Sequence, residues 1–117
     1  MDQKPPKPNR RSDRPSFDLE LVVDLARRQF VHLTYKAGSE AARYFGDECV
    51  SIRNEIIDAL TGLSAEEWRF TQEKDGEWVD VYRAGIFENW PDAWIKVKVE
   101  LVNAYDAVVV ISFHEWD

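Results

Sequence analysis

Residues 68–83, WRFTQEKDGEWVDVYR, alternate apolar and polar side chains on both sides of the dipeptide Asp75-Gly76. Alternation with a period of two is typical of β-strands, and Asp-Gly between two such runs favours a hairpin with a two-residue turn. A turn of that length fixes the cross-strand pairs. The predicted pairs are Lys74 with Glu77, Gln72 with Val79, Phe70 with Val81 and Trp68 with Arg83.

The pairing assigns each side chain of the hairpin to one of two faces. Residues of one face can act together at a site, and a residue of the other face joins them only if the register slips. The first face carries Trp68, Phe70, Gln72, Val79 and Val81. The second face carries Arg69, Thr71, Trp78, Asp80 and Tyr82.

Two further strands are predicted after the hairpin. WIKVKVEL (94–101) alternates, which places Ile95, Val97, Val99 and Leu101 inward and Trp94, Lys96, Lys98 and Glu100 outward. AVVVISF (107–113) is apolar on both faces, which is typical of a central strand. The second half of the chain is therefore expected to form a sheet.

The first half predicts helices. Phe17, Leu21 and Leu25 recur at helical spacing, so residues 17–29 predict an amphipathic helix with Ser16 as its N-cap. Residues 30–35 predict a short strand, and residues 39–46 a helical turn or two that stops at Gly46. Another helix is predicted within 47–63, ending near Gly62, with an apolar face of Cys49, Ile52, Ile56, Ala59 and Leu63. Helices before an antiparallel sheet predict an α+β domain, with the helices packed on a twisted, mainly antiparallel sheet.

Charge divides the chain into a basic tail and an acidic body. Residues 1–16 contain four of the five prolines and carry five basic groups against two acidic ones, which gives a net charge of +3. Such a composition predicts disorder. The whole chain has a net charge of −7, so residues 17–117, the predicted single domain, carry −10. An acidic body repels phosphate and counts against nucleic-acid binding in general, whereas the tail is either a solvated arm or a contact to nucleic acid.

Composition excludes several classes of protein. The single cysteine, Cys49, forms no intrachain disulfide, and with only two histidines a zinc site is not expected. No apolar run approaches the roughly 18 residues of a membrane span, so we expect a cytoplasmic protein without a membrane partner. The chain contains no phosphate-binding loop, no HExxH and no dinucleotide-binding fingerprint. Neither a metal ion nor a cofactor is predicted.

Four short motifs follow one another in the second half: GLS (62–64) with an aromatic at Trp68, WVDVYR (78–83), WIKVKV (94–99) and VVVISFHE (108–115). This order resembles the motility quorum-sensing regulator (MqsR) family of type II toxins, whose members carry F-x-K-S-M, W-Q-D-V-Y, Y-L-K and S-F-K-E at these places. The resemblance covers residues 17–115 and rests on residues 62–115. It implies a RelE-like fold of the α+β class.

The resemblance also implies an endoribonuclease that cleaves mRNA without a metal ion and is held in check by an antitoxin protein. In such chemistry the 2′-hydroxyl of the RNA attacks the adjacent phosphate. The enzyme removes one proton, supplies another and neutralises charge on the phosphorane. The family assigns these tasks to two lysines, a glutamine and a tyrosine, and their positions in this chain hold Phe70, Val79, Trp94 and His114.

The chain departs from the family pattern at this site. Phe70 and Val79 can neither donate a proton nor hold a phosphate, so the polar half of the site is apolar here. Gln72, opposite Val79, and Arg69, beside Phe70, are local substitutes. His114 suits the chemistry because imidazole titrates near neutral pH. We predict three catalytic residues, His114, Arg69 and Gln72, and four residues that bind RNA, Trp94, Lys96, Tyr82 and Arg83.

Each candidate also has a structural interpretation. His114 is equally compatible with an exposed position at the end of a strand, and Tyr82 with packing against the helices. Lys96 is an ordinary outward residue of a strand unless RNA lies across it. The alternative function is a catalytically inactive MqsR-like module that binds a protein partner through the aromatic loop around Trp90 and Trp94. The oligomeric state is not predicted.

Overall fold

A computed structural model describes residues 10–116, and among these the side chains of residues 13–73 and 75–116. Within this range the chain forms six strands and three α-helices. The strands are β1 (Arg10–Ser12), β2 (Val31–Leu33), β3 (Trp68–Lys74), β4 (Glu77–Ala84), β5 (Ala93–Val102) and β6 (Tyr105–Glu115). The α-helices are α1 (Leu19–Arg27), α2 (Tyr35–Phe45) and α3 (Ile52–Thr61), and a 3₁₀ helix (Ala65–Glu67) precedes β3.

The strands form one mixed sheet in the order β1-β3-β4-β5-β6-β2. All neighbouring pairs are antiparallel except β2 and β6, which are parallel. The helices pack on one face of this sheet, so the predicted α+β class with a mainly antiparallel sheet is confirmed. Strand β6 lies between β5 and β2 over Val108–Val110, which confirms its predicted central position for that stretch.

The β3–β4 hairpin turns at Asp75-Gly76 as predicted. Both residues have positive φ, 54° and 84°, which is the conformation that a tight two-residue hairpin turn requires. The predicted pairs of Lys74, Gln72 and Phe70 with their partners on β4 are present. The predicted pairing of Trp68 with Arg83 is wrong, since an irregularity between Trp68 and Phe70 shifts the register and places Trp68 opposite Tyr82.

Helices α1 and α3 begin later than their apolar patterns predicted. Helix α1 begins at Leu19 because Asp18, not Ser16, caps it by accepting the backbone N–H of Glu20. Helix α3 begins at Ile52, capped by the Ser51 side chain, so Cys49 precedes the helix and does not lie on its apolar face.

Helix α2 is longer than the predicted turn or two. The Thr34 side chain accepts the N–H of Ala37 and starts the helix at Tyr35. Gly46 ends it with a φ of 88°, as expected for a glycine at this position.

The core lies between the helices and one face of the sheet. Tyr82, Ile95 and Phe113, which are opposite one another on β4, β5 and β6, are fully buried there beneath the helices. Ile95 and Val97 point inward as predicted. Leu101 does not, because it lies beside the β5–β6 turn, outside the core, and is 69% exposed.

The N-terminal segment lies partly outside the described residues. Of the predicted disordered tail, residues 1–9 fall outside them, whereas Arg10–Ser12 form β1 beside β3. The backbone N–H groups of Ser16 and Phe17 donate to the carboxylate of Asp80 at 2.8 and 2.9 Å. No helix of the described part is long and apolar enough to cross a membrane.

Candidate functional site

The face of the sheet opposite the core carries most of the predicted site residues, and we name it the outer face. Arg83, Trp94 and His114 are direct cross-strand neighbours on β4, β5 and β6. They alternate with the buried residues Tyr82, Ile95 and Phe113, so they point to the opposite side of the sheet. Each of the three outer residues is partly exposed. In the next row, Val81, Lys96 and Ser112 are neighbours in the same way.

Trp94 lies at the centre of an aromatic strip on the outer face. Its ring is 5.7 Å from that of Phe70 and 4.3 Å from that of Trp116, measured between centroids. The Arg83 guanidinium lies 4.4 Å from the centre of the Trp116 ring, and its Nε is 2.9 Å from a carboxylate oxygen of Asp92. The strip offers flat aromatic surface for stacking, with one cation that an ion pair already holds.

His114 has a defined protonation pattern on its ring. Its Nδ1 lies 3.0 Å from the carbonyl oxygen of Glu115. A carbonyl oxygen only accepts hydrogen bonds, so Nδ1 carries a proton and Nε2 of the neutral ring has the lone pair. Among the described residues no group is hydrogen-bonded to Nε2, which leaves that nitrogen available for proton transfer.

Glu40 of α2 accepts hydrogen bonds from the unpaired edge of β6 next to His114. Strand β2 ends at Leu33, so within residues 10–116 β6 has no neighbouring strand on that side beyond this point. The Glu40 carboxylate accepts the hydroxyl of Ser112 at 2.8 Å and the N–H of Phe113 at 3.0 Å. It therefore replaces a strand partner and holds the backbone that leads into His114.

The environment of Glu40 favours its charged form. Partial burial, the largest single effect, raises the pKa of this carboxyl, whereas the hydrogen bonds from Phe113 and Ser112 lower it. The positive charges of His114 and Lys36 lower this pKa further. The net result is a pKa below the ordinary value, so Glu40 is ionised near neutral pH.

A cleft opens at this edge of β6, next to α2. Its volume is about 210 Å³, and its lining residues are Glu40, Arg43, Tyr44, His114 and Glu115. The Tyr44 hydroxyl donates to the carbonyl of Pro91. Burial, followed by the negative charges of Asp92 and Glu115, raises the pKa of Tyr44 to about 12. The phenol is therefore protonated at neutral pH, and the cleft combines a histidine, an arginine and two carboxylates.

Arg69 and Gln72 are not brought to His114. Both belong to β3, which is three strands away from β6, a lateral separation of roughly 14 Å at the usual strand spacing. The Arg69 guanidinium donates to the backbone carbonyls of Glu66 and Trp68, so residues next to it in the sequence hold its side chain. The structure therefore does not place these two predicted catalytic residues beside His114.

Tyr82 does not lie on the outer face. It is completely buried, and burial followed by the charges of Asp80 and Asp18 raises its pKa to about 12. Its hydroxyl has no hydrogen-bond partner within the described part of the chain. The predicted contact between Tyr82 and RNA is therefore not supported, because strand alternation turns this side chain into the core.

Two of the positions that the resemblance assigns to the catalytic site, Phe70 and Val79, lie in apolar surroundings. Phe70 packs against Trp94, and Val79, paired with Gln72, is buried. Lys96 is partly exposed on the outer face, between Val81 and Ser112 in its row. Of the seven predicted site residues, the structure groups four, His114, Trp94, Lys96 and Arg83.

Four residues near the site were not predicted: Glu40, Arg43, Glu115 and Trp116. Glu40 and Arg43 lie about seventy residues from His114 in the sequence, on a helix whose pattern predicted only a turn or two. Glu115 follows directly after His114 and matches the glutamate of the S-F-K-E motif, and these were the signals for it in the sequence. Within the described residues no group of three or more histidine, cysteine, aspartate or glutamate side chains is arranged to hold a metal ion.

Comparisons with models of protein families, with curated proteins and with solved structures find no match to this chain. The resemblance to the MqsR family therefore stays a prediction that rests on the four motifs.

Proposed function

We propose that this protein is a metal-independent endoribonuclease that cleaves mRNA, and that it is the toxin of a toxin-antitoxin pair. The observation that supports the proposal is the row of Arg83, Trp94 and His114 on the outer face. A cation, a stacking ring and an imidazole are neighbours there, and this is what single-stranded RNA and its cleavage require.

In this proposal RNA lies across the aromatic strip. A base stacks on Trp94 or Trp116, and Lys96 and Arg83 contact the phosphates. The rest of the domain is acidic and repels phosphate, so the RNA is attracted only at this strip. RNA binding is therefore expected to be weak at physiological salt and to strengthen as salt is lowered.

His114 is the group that transfers a proton. The hydrogen bond from Nδ1 to the Glu115 carbonyl orients the ring and directs exchange of protons to Nε2. In the reaction the 2′-oxygen attacks the phosphorus and the bond to the 5′-oxygen breaks. The products are a 2′,3′-cyclic phosphate and a free 5′-hydroxyl. An enzyme that acts on mRNA works in the cytoplasm, which we propose as its location, with an antitoxin protein as its partner.

The test is the activity of His114 variants on a mixed mRNA. His114→Ala is expected to fold normally and to lose cleavage by about a hundredfold or more, the usual effect of removing an acid–base group. His114→Lys restores the residue that the resemblance places here and should retain part of the activity. His32→Ala, which removes the exposed histidine of β2, is the matched control and should cleave like the parent. Equal cleavage by the parent and His114→Ala would refute the proposal.

A second function is favoured by a different observation. Phe87 and Trp90, in the loop between β4 and β5, are each 46% exposed and meet edge to face at 6.2 Å. Phe45 backs this pair from α2, at 6.0 Å from Phe87. Exposed aromatic residues that are already held in place are typical of the centres of protein interfaces. Together with the apolar Phe70 and Val79, this pair supports an inactive module that binds a protein.

The two functions give different results in one experiment. The chain is co-expressed with a candidate antitoxin, the product of any small open reading frame found beside its gene, and complex formation is measured for Trp90→Ala and Trp94→Ala. An inactive module loses its partner in the Trp90 variant and shows no RNA cleavage in any variant. The ribonuclease loses cleavage in the Trp94 variant when the partner is absent.

A further inference from the structure

We propose that Glu115 and Arg43 act with His114 as the catalytic set of the ribonuclease, in the cleft at the edge of β6. This inference rests on the proposed function and names the residues that perform it. Cleavage by 2′-hydroxyl attack requires a proton acceptor, a proton donor and a cation at the phosphate. His114 alone supplies one of these, and Arg69 and Gln72 lie too far away to supply the others.

Glu115 is the proton acceptor. It lines the same cleft as His114 and is the last residue of β6, paired with Ala93 of β5. Its carboxylate is exposed, and in the part of the chain that the structure describes it takes part in no hydrogen bond or ion pair. Glu40, the other carboxylate of the cleft, is already bound to Ser112 and Phe113. Glu115 is therefore the carboxylate that can accept a proton from a substrate.

Arg43 is the cation. It is exposed in the last turn of α2 and lines the cleft. Arg53 is bound to two backbone carbonyls, and Arg83 belongs to β4, two strands away from the cleft at the edge of β6. Arg43 has no hydrogen-bond or ion-pair partner among the side chains of residues 13–73 and 75–116, so its guanidinium is available to bind a phosphate through two parallel hydrogen bonds.

These three residues account for both proton transfers of the cleavage step. The Glu115 carboxylate takes the proton of the 2′-hydroxyl, and the 2′-oxygen forms a bond to phosphorus. The bond from phosphorus to the 5′-oxygen breaks, and His114 in its imidazolium form gives the leaving oxygen a proton from Nε2. Arg43 neutralises charge on the phosphorane oxygens while this occurs.

These roles require a free base and a protonated acid at the same time. The activity is therefore expected to be bell-shaped in pH, as it is for reactions that need both. The charged and titratable groups that face the pair are Lys36, Glu40, Arg43 and Tyr44 of α2, Arg83 of β4 and Asp92 before β5.

The experiment measures cleavage of a defined RNA oligonucleotide against pH for the full chain and its variants. Glu115→Gln should lose about a hundredfold or more in rate, and its profile should lack the acidic limb. Arg43→Ala should lose about a hundredfold, and Arg43→Lys should recover part of this loss. Glu48→Gln and Arg27→Ala, which change exposed residues of the α2–α3 loop and of α1, are the matched controls and should behave like the parent.

Three negative outcomes are distinguishable. If the parent cleaves RNA and both Glu115→Gln and Arg43→Ala keep its rate and its pH profile, the catalytic set is wrong and the ribonuclease stands. If the parent cleaves no RNA at any pH, the proposed function fails and the catalytic set fails with it. A rate loss in Glu115→Gln with an unchanged pH profile, together with a loss in Arg43→Ala that Arg43→Lys does not partly restore, would assign the two residues a structural role and would also overturn the inference.

Discussion

Replacing Asp80 by alanine is expected to destabilise the fold more than any surface substitution. Asp80 is completely buried at the centre of β4. Its carboxylate accepts the N–H groups of Ser16 and Phe17, at 2.8 and 2.9 Å, and the hydroxyl of Thr71. These bonds tie the segment before α1 to the middle of the sheet. Alanine would leave all three donors without their acceptor.

The expected loss in the free energy of unfolding follows from these hydrogen bonds. A hydrogen bond to a charged group contributes about 1.5–3 kcal/mol, but three bonds to one carboxylate are not additive. Removing one member of a buried charged network typically costs about 3–5 kcal/mol. Ser16 is exposed, so water can satisfy its N–H in the variant, and we expect a loss of about 3 kcal/mol. For a domain of this length that lowers Tm by roughly 10–15 °C.

Thermal and urea unfolding, followed by circular dichroism, measure this loss. Asp47→Ala, which removes an exposed aspartate from the α2–α3 loop, is the control and should stay within about 0.5 kcal/mol of the parent. A loss below about 1 kcal/mol in Asp80→Ala, the range of an ordinary surface site, would show that this carboxylate does not hold the segment before α1 on the sheet.

Three further predictions concern stability. Folding lowers the pKa of Glu40, so the contribution of this carboxylate to the free energy of unfolding is complete above the unfolded pKa of 4.5 and is lost as pH falls through the folded pKa. The stability that Glu40→Gln loses, measured by urea unfolding, should therefore shrink below pH 4.5. A loss that stays constant down to pH 2 would contradict this. Tyr82→Phe removes a buried hydroxyl that has no partner in the described residues, so urea unfolding should show an unchanged or higher stability, by up to about 1 kcal/mol, and a clear loss would reveal an unseen partner. Gly76 has a φ of 84°, so Gly76→Ala should cost about 1–2 kcal/mol in thermal unfolding, whereas a neutral effect would argue against this turn.

The sheet was largely predictable from the sequence because its signals are local. Asp75-Gly76 determines a turn, and alternation on either side determines the faces, so the pairs near the turn were right. The pair farthest from the turn, at Trp68, was wrong because a local irregularity in β3 has no signature in side-chain alternation. The starts of the helices were misplaced for a similar reason. Asp18 and Ser51 cap them through hydrogen bonds, and several residues at each site were able to do so.

The candidate site was less predictable because it is assembled from distant segments. His114, Trp94 and Arg83 were found because neighbouring strands follow one another in the sequence. Glu40 and Arg43 were missed, since no pattern in β6 indicates which face of α2 lies against its free edge. Arg69 and Gln72 were chosen for their closeness to substituted positions in the sequence, and the order of the strands then separated them from His114.

The chemistry of the cleaved ends tests the proposed ribonuclease most directly. A defined RNA is incubated with the full chain in excess EDTA, and the termini of the products are determined by mass spectrometry beside His114→Ala. The proposed function predicts 2′,3′-cyclic phosphate and 5′-hydroxyl ends from the parent, formed at the same rate as without EDTA, and about a hundredfold fewer from the variant. Ends with a 5′-phosphate, loss of cleavage on chelation, or equal cleavage by His114→Ala would contradict it.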